Sequence, residues 1–140
     1  MATPRHLVER FYHEVWDRAD EAAAREILAP DFRFRGSLGP EKTGVAGFID
    51  YLRAVHTSLG DFRCIIQSLL VSERRAAAQM LFRGIHRAEL FGVPATGAVI
   101  QWSGAAFFET NDEQITALWV LGDVDAVKKQ LGAQTSPVFS

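Results

Sequence analysis

The chain has 140 residues, 48% of them hydrophobic and 23% charged. That is enough for one folded domain with a radius of gyration of about 14 Å and one core, and it excludes disorder over the whole chain. Fifteen Lys+Arg against seventeen Asp+Glu leave a net charge of -2, which argues against a nucleic-acid groove because such surfaces carry a basic excess.

The elements follow in order. Thr3-Pro4 is an N-cap followed by Pro at the first helical position, and Leu7, Val8, Phe11, Tyr12, Val15 and Trp16 form the stripe of an amphipathic helix. Asp20 caps a second, alanine-rich helix from Glu21 to Leu28, which Pro30 ends. Asp31 to Arg35 alternates as a short strand before Gly36 and Gly39. Gly44 to Leu59 is the clearest helix, with Val45, Phe48, Ile49, Leu52, Val55 and Leu59 on one face and Gly60-Asp61 as its stop. The period then changes. Phe62–Val71, Ala76–Ala88, Ala98–Thr110 and Ile115–Leu121 read as strands separated by polar or turn-rich breaks. A short helix from Asp123 or Val124 to Leu131 closes a domain spanning 1–132, and 133–140 is a loosely held tail. Helices first and hairpin-linked strands afterwards predict an α+β fold: a curved antiparallel sheet wrapped as a half-open cone around helices, with a pocket at the wide end.

The chemistry-bearing residues are few. His6, His13, His56 and His86 share no metal-ligand spacing with one another or with Cys64. No phosphate loop, dinucleotide fingerprint or nucleophile elbow is present, so neither metal nor cofactor is expected. Cys64 can form no internal disulfide, and in an apolar strand it reads as an inert buried thiol. No apolar run reaches the roughly 20 residues of a membrane span, and no signal-peptide core precedes the first charges. The expected location is cytoplasmic, without membrane or nucleic-acid partners.

In the last strand, alternation from Ile115 puts Ala117, Trp119, Leu121 and Asp123 on one face. Asp123 then has two readings. At the rim of an apolar cavity it is an acid/base group for carbon acids; before Val124 it is a helix N-cap, and spacing alone favours the cap. His86 shares a face with Met80 and Phe82, either as a hydrogen-bonded structural histidine or as a donor to a substrate oxygen. Phe34, Trp102 and Trp119 are the candidate aromatic walls of a pocket, with Phe82 and Arg35 beside them.

The second half resembles a known family. Arg83 to Gly97 (RGIHRAELFGVPATG) is similar to the G-T-H-x-G-x-F-x-G-x-P-x-T-G stretch of the SnoaL-like polyketide cyclases, or ester cyclases, of the nuclear transport factor 2-like superfamily. Ile115 to Asp123 resembles that family's I-x-x-x-W-x-x-x-D, Val127 to Gly132 its L-x-x-Q-L-G, and Ala29 to Phe32 its A-P-D-F. The likeness spans about residues 7 to 132. It implies a cone-shaped α+β fold, a homodimer or higher oligomer, and an intramolecular aldol closure without metal or cofactor. Asp123 matches the residue that handles the proton α to a carbonyl, and His86 matches a histidine near the same cavity. With the resemblance, the pocket reading of Asp123 overtakes the cap. Arg33, Phe34 and Arg35 stand where many members carry a polar Asn or His, Ile85 replaces a Thr and Ala88 a Gly, which implies a differently lined pocket. The expected ligand is a small hydrophobic carbonyl compound. The competing readings are a non-catalytic binding or dimerisation module, and an epoxide hydrolase to which Asp123 and Arg35 would contribute.

Overall fold

The computed structural model describes residues 2–132, so the predicted tail lies outside the described residues. Helix α1 (Pro4–Arg10) starts at Thr3, whose hydroxyl accepts from the His6 amide at 3.1 Å. It runs on into a π-helical segment, Phe11–Trp16, in which the Asp17 amide reaches back five residues to the Tyr12 carbonyl at 2.9 Å. Phe11, Tyr12, Val15 and Trp16 are all buried, as the stripe predicts. Helix α2 (Glu21–Ile27) is capped by Asp20, which accepts from the Ala23 amide at 2.9 Å. Strand β1 (Leu28–Arg35) begins at once, so Pro30 falls inside it, where the pairing register shifts between Leu28 and Arg33. Strand β2 (Glu41–Thr43) is too short to be seen in the sequence and leads into α3 (Gly44–Ser58).

Helix α3 passes directly into β3 (Leu59–Ser72), one residue before the expected Gly60-Asp61 stop. Strands β4 (Arg75–His86), β5 (Val99–Thr110) and β6 (Ile115–Gly122) follow, then α4 (Val124–Leu131). The six-stranded sheet has the order β2-β1-β6-β5-β4-β3. The α+β class holds, with one change: the β1–β6 pairing is parallel, so the curved sheet is mixed rather than wholly antiparallel.

The concave face is buried. On β4, Ala76, Ala78, Met80, Phe82, Gly84 and His86 alternate inward, as the parity predicts. They pack with Phe32 and Phe34 of β1, Trp102 and Phe108 of β5, and the side chains of α1, the π-helical segment and α3. Residues 99–103 of β5 extend beyond the reach of β6. There the Gln130 side chain of α4 substitutes for a strand: its Oε1 accepts from the Gln101 amide at 2.8 Å, and its Nε2 donates to the Gln101 carbonyl. An otherwise open sheet edge is thereby satisfied by one amide. No helix among the described residues is long and apolar enough to cross a membrane.

Candidate functional site: a closed aromatic cavity inside the cone

The interior holds a cavity lined by Phe11, Tyr12, Trp16, Phe34, Ser37, Leu38, Tyr51, Val55, Phe62, Phe82, Trp102, Leu118 and Val120. It is nearly closed: the centre of a water molecule can explore about 10 Å3 of it, room for about one water. Its walls are rings set edge to face or tilted, including Phe34 against Tyr51 at 5.4 Å and Phe82 against Trp102 at 5.4 Å between centroids. No charged side chain lines it. Among the described residues three buried side-chain polar atoms have no hydrogen-bond partner in the protein, namely Tyr12 Oη, Trp102 Nε1 and His86 Nε2, and the first two belong to cavity-lining residues.

The turn from Gly36 to Pro40 carries Ser37 and Leu38 into the cavity wall. Its position is set by close packing. A Cβ on Gly36 would lie 2.6 Å from the Tyr51 hydroxyl, and one on Gly122 would lie 2.1 Å from the Ser37 carbonyl oxygen. Both glycines are therefore required for the turn to sit between α3 and the end of β6. Burial pushes the Tyr51 hydroxyl up to about 12, although hydrogen bonds from the Leu38 backbone and the Ser37 side chain oppose the shift. Burial likewise raises Tyr12 well above the usual phenol range, with Cys64 adding to the effect. The Cys64 thiol is raised for the same reason, burial first and Asp17 second.

The predicted site residues separate into two groups. Phe34, Phe82 and Trp102 meet in the cavity. His86 is fully buried on the same sheet face, four residues along β4 from Phe82. Its Nδ1 accepts from the Thr96 amide at 3.2 Å and lies 2.9 Å from the Thr96 hydroxyl, which itself accepts from the Ala98 amide. An amide N–H can only donate, so the ring proton sits on Nε2.

Trp119, Arg35 and Asp123 lie elsewhere. Trp119 is 46% exposed on the outer face, paired across strands with Phe107 and covered by the Arg35 guanidinium at 5.4 Å. Arg35 also donates to the Val120 carbonyl. The physical reason is a bulge: Glu109 pairs with Ala117 but Thr110 with Ile115, so Thr116 is an extra residue and every later side chain of β6 changes face. Leu118 and Val120 point into the cavity in place of Trp119 and Leu121. Asp123 is exposed and caps α4, its carboxylate accepting from the Ala126 amide at 3.1 Å. The bulge gives position 123 the outward parity of Trp119 and Leu121, and the strand itself ends at Gly122.

Among the described residues no group of three or more His, Cys, Asp or Glu side chains is arranged to hold a metal ion. The cavity residues that sequence reasoning missed include Tyr12, Trp16, Tyr51, Phe62, Leu118 and Val120. The helical stripe puts the first two on one apolar face, but nothing in it separates cavity wall from core.

A curved mixed sheet closed by helices around an aromatic chamber defines a cone-shaped α+β protein of the nuclear transport factor 2-like type. The sequence profile of the SnoaL-like polyketide cyclases matches residues 6–131, and the chain belongs to that family. Among solved structures it is similar to a candidate SnoaL-like polyketide cyclase from Jannaschia sp. CCS1, at 18% identity over 95% of this chain and 97% of that one, with a TM-score of 0.83. It is also similar to IdmH, a candidate polyketide cyclase from Streptomyces antibioticus, at 23% identity, 94% and 99% coverage and a TM-score of 0.81. A candidate polyketide cyclase from Xanthomonas campestris pv. campestris matches at 26% identity, 89% and 93% coverage and a TM-score of 0.74. No curated protein matches the chain.

Proposed function

We propose that the protein is a cytoplasmic, cofactor-independent enzyme of the cyclase or isomerase type that takes a small, hydrophobic carbonyl compound into its interior cavity. The observation that carries this reading is the aromatic, uncharged lining of that cavity in a member of a polyketide cyclase family. An apolar chamber with a few polar atoms is the usual form of a small-molecule site. The reaction needs no redox partner. A proton leaves the carbon α to the carbonyl for a base and the C–H electron pair moves onto the oxygen. The enolate carbon then attacks a second carbonyl of the same molecule, whose π pair becomes an alkoxide that takes the proton back from the base, or the enolate is reprotonated at another carbon. Asp123 is the base that the family resemblance assigns, and to reach a bound ligand it has to release the Ala126 amide.

That cap supports a second reading, a non-catalytic binding module whose Asp123 serves only α4. Thermal-shift screening with aromatic and polyketide-like ketones, followed by product analysis and repeated on Asp123→Asn, separates the two. Shifts in both proteins with turnover in the wild type alone support the enzyme. Equal shifts with turnover in neither support the binder, and no shift with any ketone overturns the cavity as ligand site.

The partner we propose is a second copy of the chain on the outer sheet face. Phe107, Trp119 and Leu121 are about half exposed there, and Leu70 is 71% exposed. Phe107, Trp119 and Leu70 line a groove of about 690 Å3 together with Arg33, Arg35, Arg75, Glu41 and Glu109. An apolar band flanked by both signs of charge is self-complementary, as a two-fold interface requires.

A further inference from the structure

We infer that Tyr12 and Trp102 form a pair of neutral hydrogen-bond donors that recognises one acceptor oxygen of the ligand, a ketone oxygen or the enolate or phenolate derived from it. The inference rests on the interior cavity being the ligand site. Tyr12 is 1% exposed and Trp102 2%, both line the cavity, and neither Tyr12 Oη nor Trp102 Nε1 has a partner in the protein. Unpaired buried polar atoms are few in native proteins because each forfeits its hydrogen bonds to water. Here two of the three belong to residues that line the same small space.

Packing does not account for the hydroxyl. Phenylalanine at position 12 would fill the same space and leave nothing unpaired. The two groups also agree in kind. An indole N–H only donates, and burial keeps the Tyr12 hydroxyl protonated across the neutral range, so it donates as well. What complements two donors is an acceptor. No charged side chain lines the cavity, so nothing there neutralises a carboxylate or a phosphate. A carbonyl oxygen fits, and it gains most from the pair when it takes up negative charge. His86 Nε2–H is a third unpaired donor, but His86 is not part of the cavity wall.

The test uses 1-tetralone, a bicyclic aromatic ketone, and tetralin, the same skeleton without the oxygen, titrated into nitrogen-15-labelled protein. The chain has three tryptophans, so three indole N–H signals are expected, and Trp102→Phe identifies the relevant one by its loss. Should that variant not fold, Trp16→Phe and Trp119→Phe identify it by elimination. Tetralone is expected to move the Trp102 signal and to bind about tenfold more tightly than tetralin. Tyr12→Phe should bring tetralone about tenfold down to the tetralin level while leaving tetralin affinity and the melting temperature undiminished. A Tyr12 hydroxyl that served only the fold would instead leave the preference for tetralone over tetralin intact in Tyr12→Phe, and a fall in melting temperature would mark it as structural. Equal binding of the two compounds by the wild type, or a preference that survives Tyr12→Phe, overturns the donor pair and leaves the cavity reading standing. If neither compound moves the Trp102 signal, both fail.

Discussion

The role of Asp123 is decided by a pair of substitutions that separate its cap from its charge. The carboxylate makes one hydrogen bond, to the Ala126 amide at 3.1 Å, at the first turn of an eight-residue helix. Asp123→Ala leaves that amide without its partner, and loss of an N-cap costs about 1 kcal/mol. For a 140-residue chain the unfolding entropy of about 2.1 cal/mol/K per residue converts this to a fall of about 3 °C in melting temperature. Asn caps a helix as well as Asp does, so Asp123→Asn is expected to melt within about 1 °C of the wild type. Calorimetric melts give the shifts, and hydrogen exchange at Ala126 localises them: the amide loses protection in Asp123→Ala and keeps it in Asp123→Asn. Wild-type stability in Asp123→Ala, or an Asp123→Asn that falls as far as the alanine variant, refutes the cap as the ground-state role.

Two further outcomes are expected. Burial holds Tyr51 at about 12 against an ordinary 10.0, so the folded chain keeps this proton after the unfolded chain has lost it. Its contribution is complete below pH 10 and is lost as the pH rises to 12, about 2–3 kcal/mol in all. Tyr12 and Cys64 are shifted in the same direction. Denaturant titrations should show stability falling through this range with a shallower fall in Tyr51→Phe, and an identical alkaline limb would contradict the assignment. Trp119→Lys places a charge on the outer face beside Phe107 and Arg35, and light scattering should show the mass falling from two chains to one. A wild type that is already monomeric removes the proposed interface.

Much of the fold is legible because its signals are local. Thr3 and Asp20 act as the caps that their types suggest. The buried face of β4 follows simple alternation through His86, and the helical face of α3 buries Phe48, Ile49, Leu52 and Val55. The failures share one cause, a change of backbone phase that no single residue announces. The bulge at Thr116 moves Trp119 outward and brings Leu118 and Val120 in. The π-helical segment, by contrast, leaves the predicted stripe intact, and Phe11, Tyr12, Val15 and Trp16 are all buried. Pairings between distant segments were hidden for a different reason. The parallel β1–β6 ladder depends on a partner far away in the chain, whereas β2 pairs with the neighbouring β1 and is hidden only by its three-residue length. Phe82 and Trp102 line the cavity from strands that pair in regular register, and Phe34 from the part of β1 beyond its register shift.

The same geometry determines which obstacle separates Asp123 from the cavity. Its cap bond is worth about 1 kcal/mol, which lowers the population of a released carboxylate only about fivefold. That is too little to exclude chemistry. The turn at Ser37 is a larger barrier. Ser37 and Leu38 form part of the cavity wall, and the Ser37 carbonyl abuts Gly122, the residue before Asp123, where even a methyl group has no room. With space for about one water inside, a bicyclic ketone enters only if part of the wall moves. The strands and α3 are held by ladder hydrogen bonds and packed rings. The Ser37 turn is held by two backbone bonds within itself, Gly36 N–H to Pro40 and Gly39 N–H to Gly36, by hydrogen bonds from Leu38 and Ser37 to Tyr51, and by Leu38 packing on the core. Displacing it would make room for the ligand and clear the space beside Gly122, so access of substrate and access of the carboxylate depend on the same few residues.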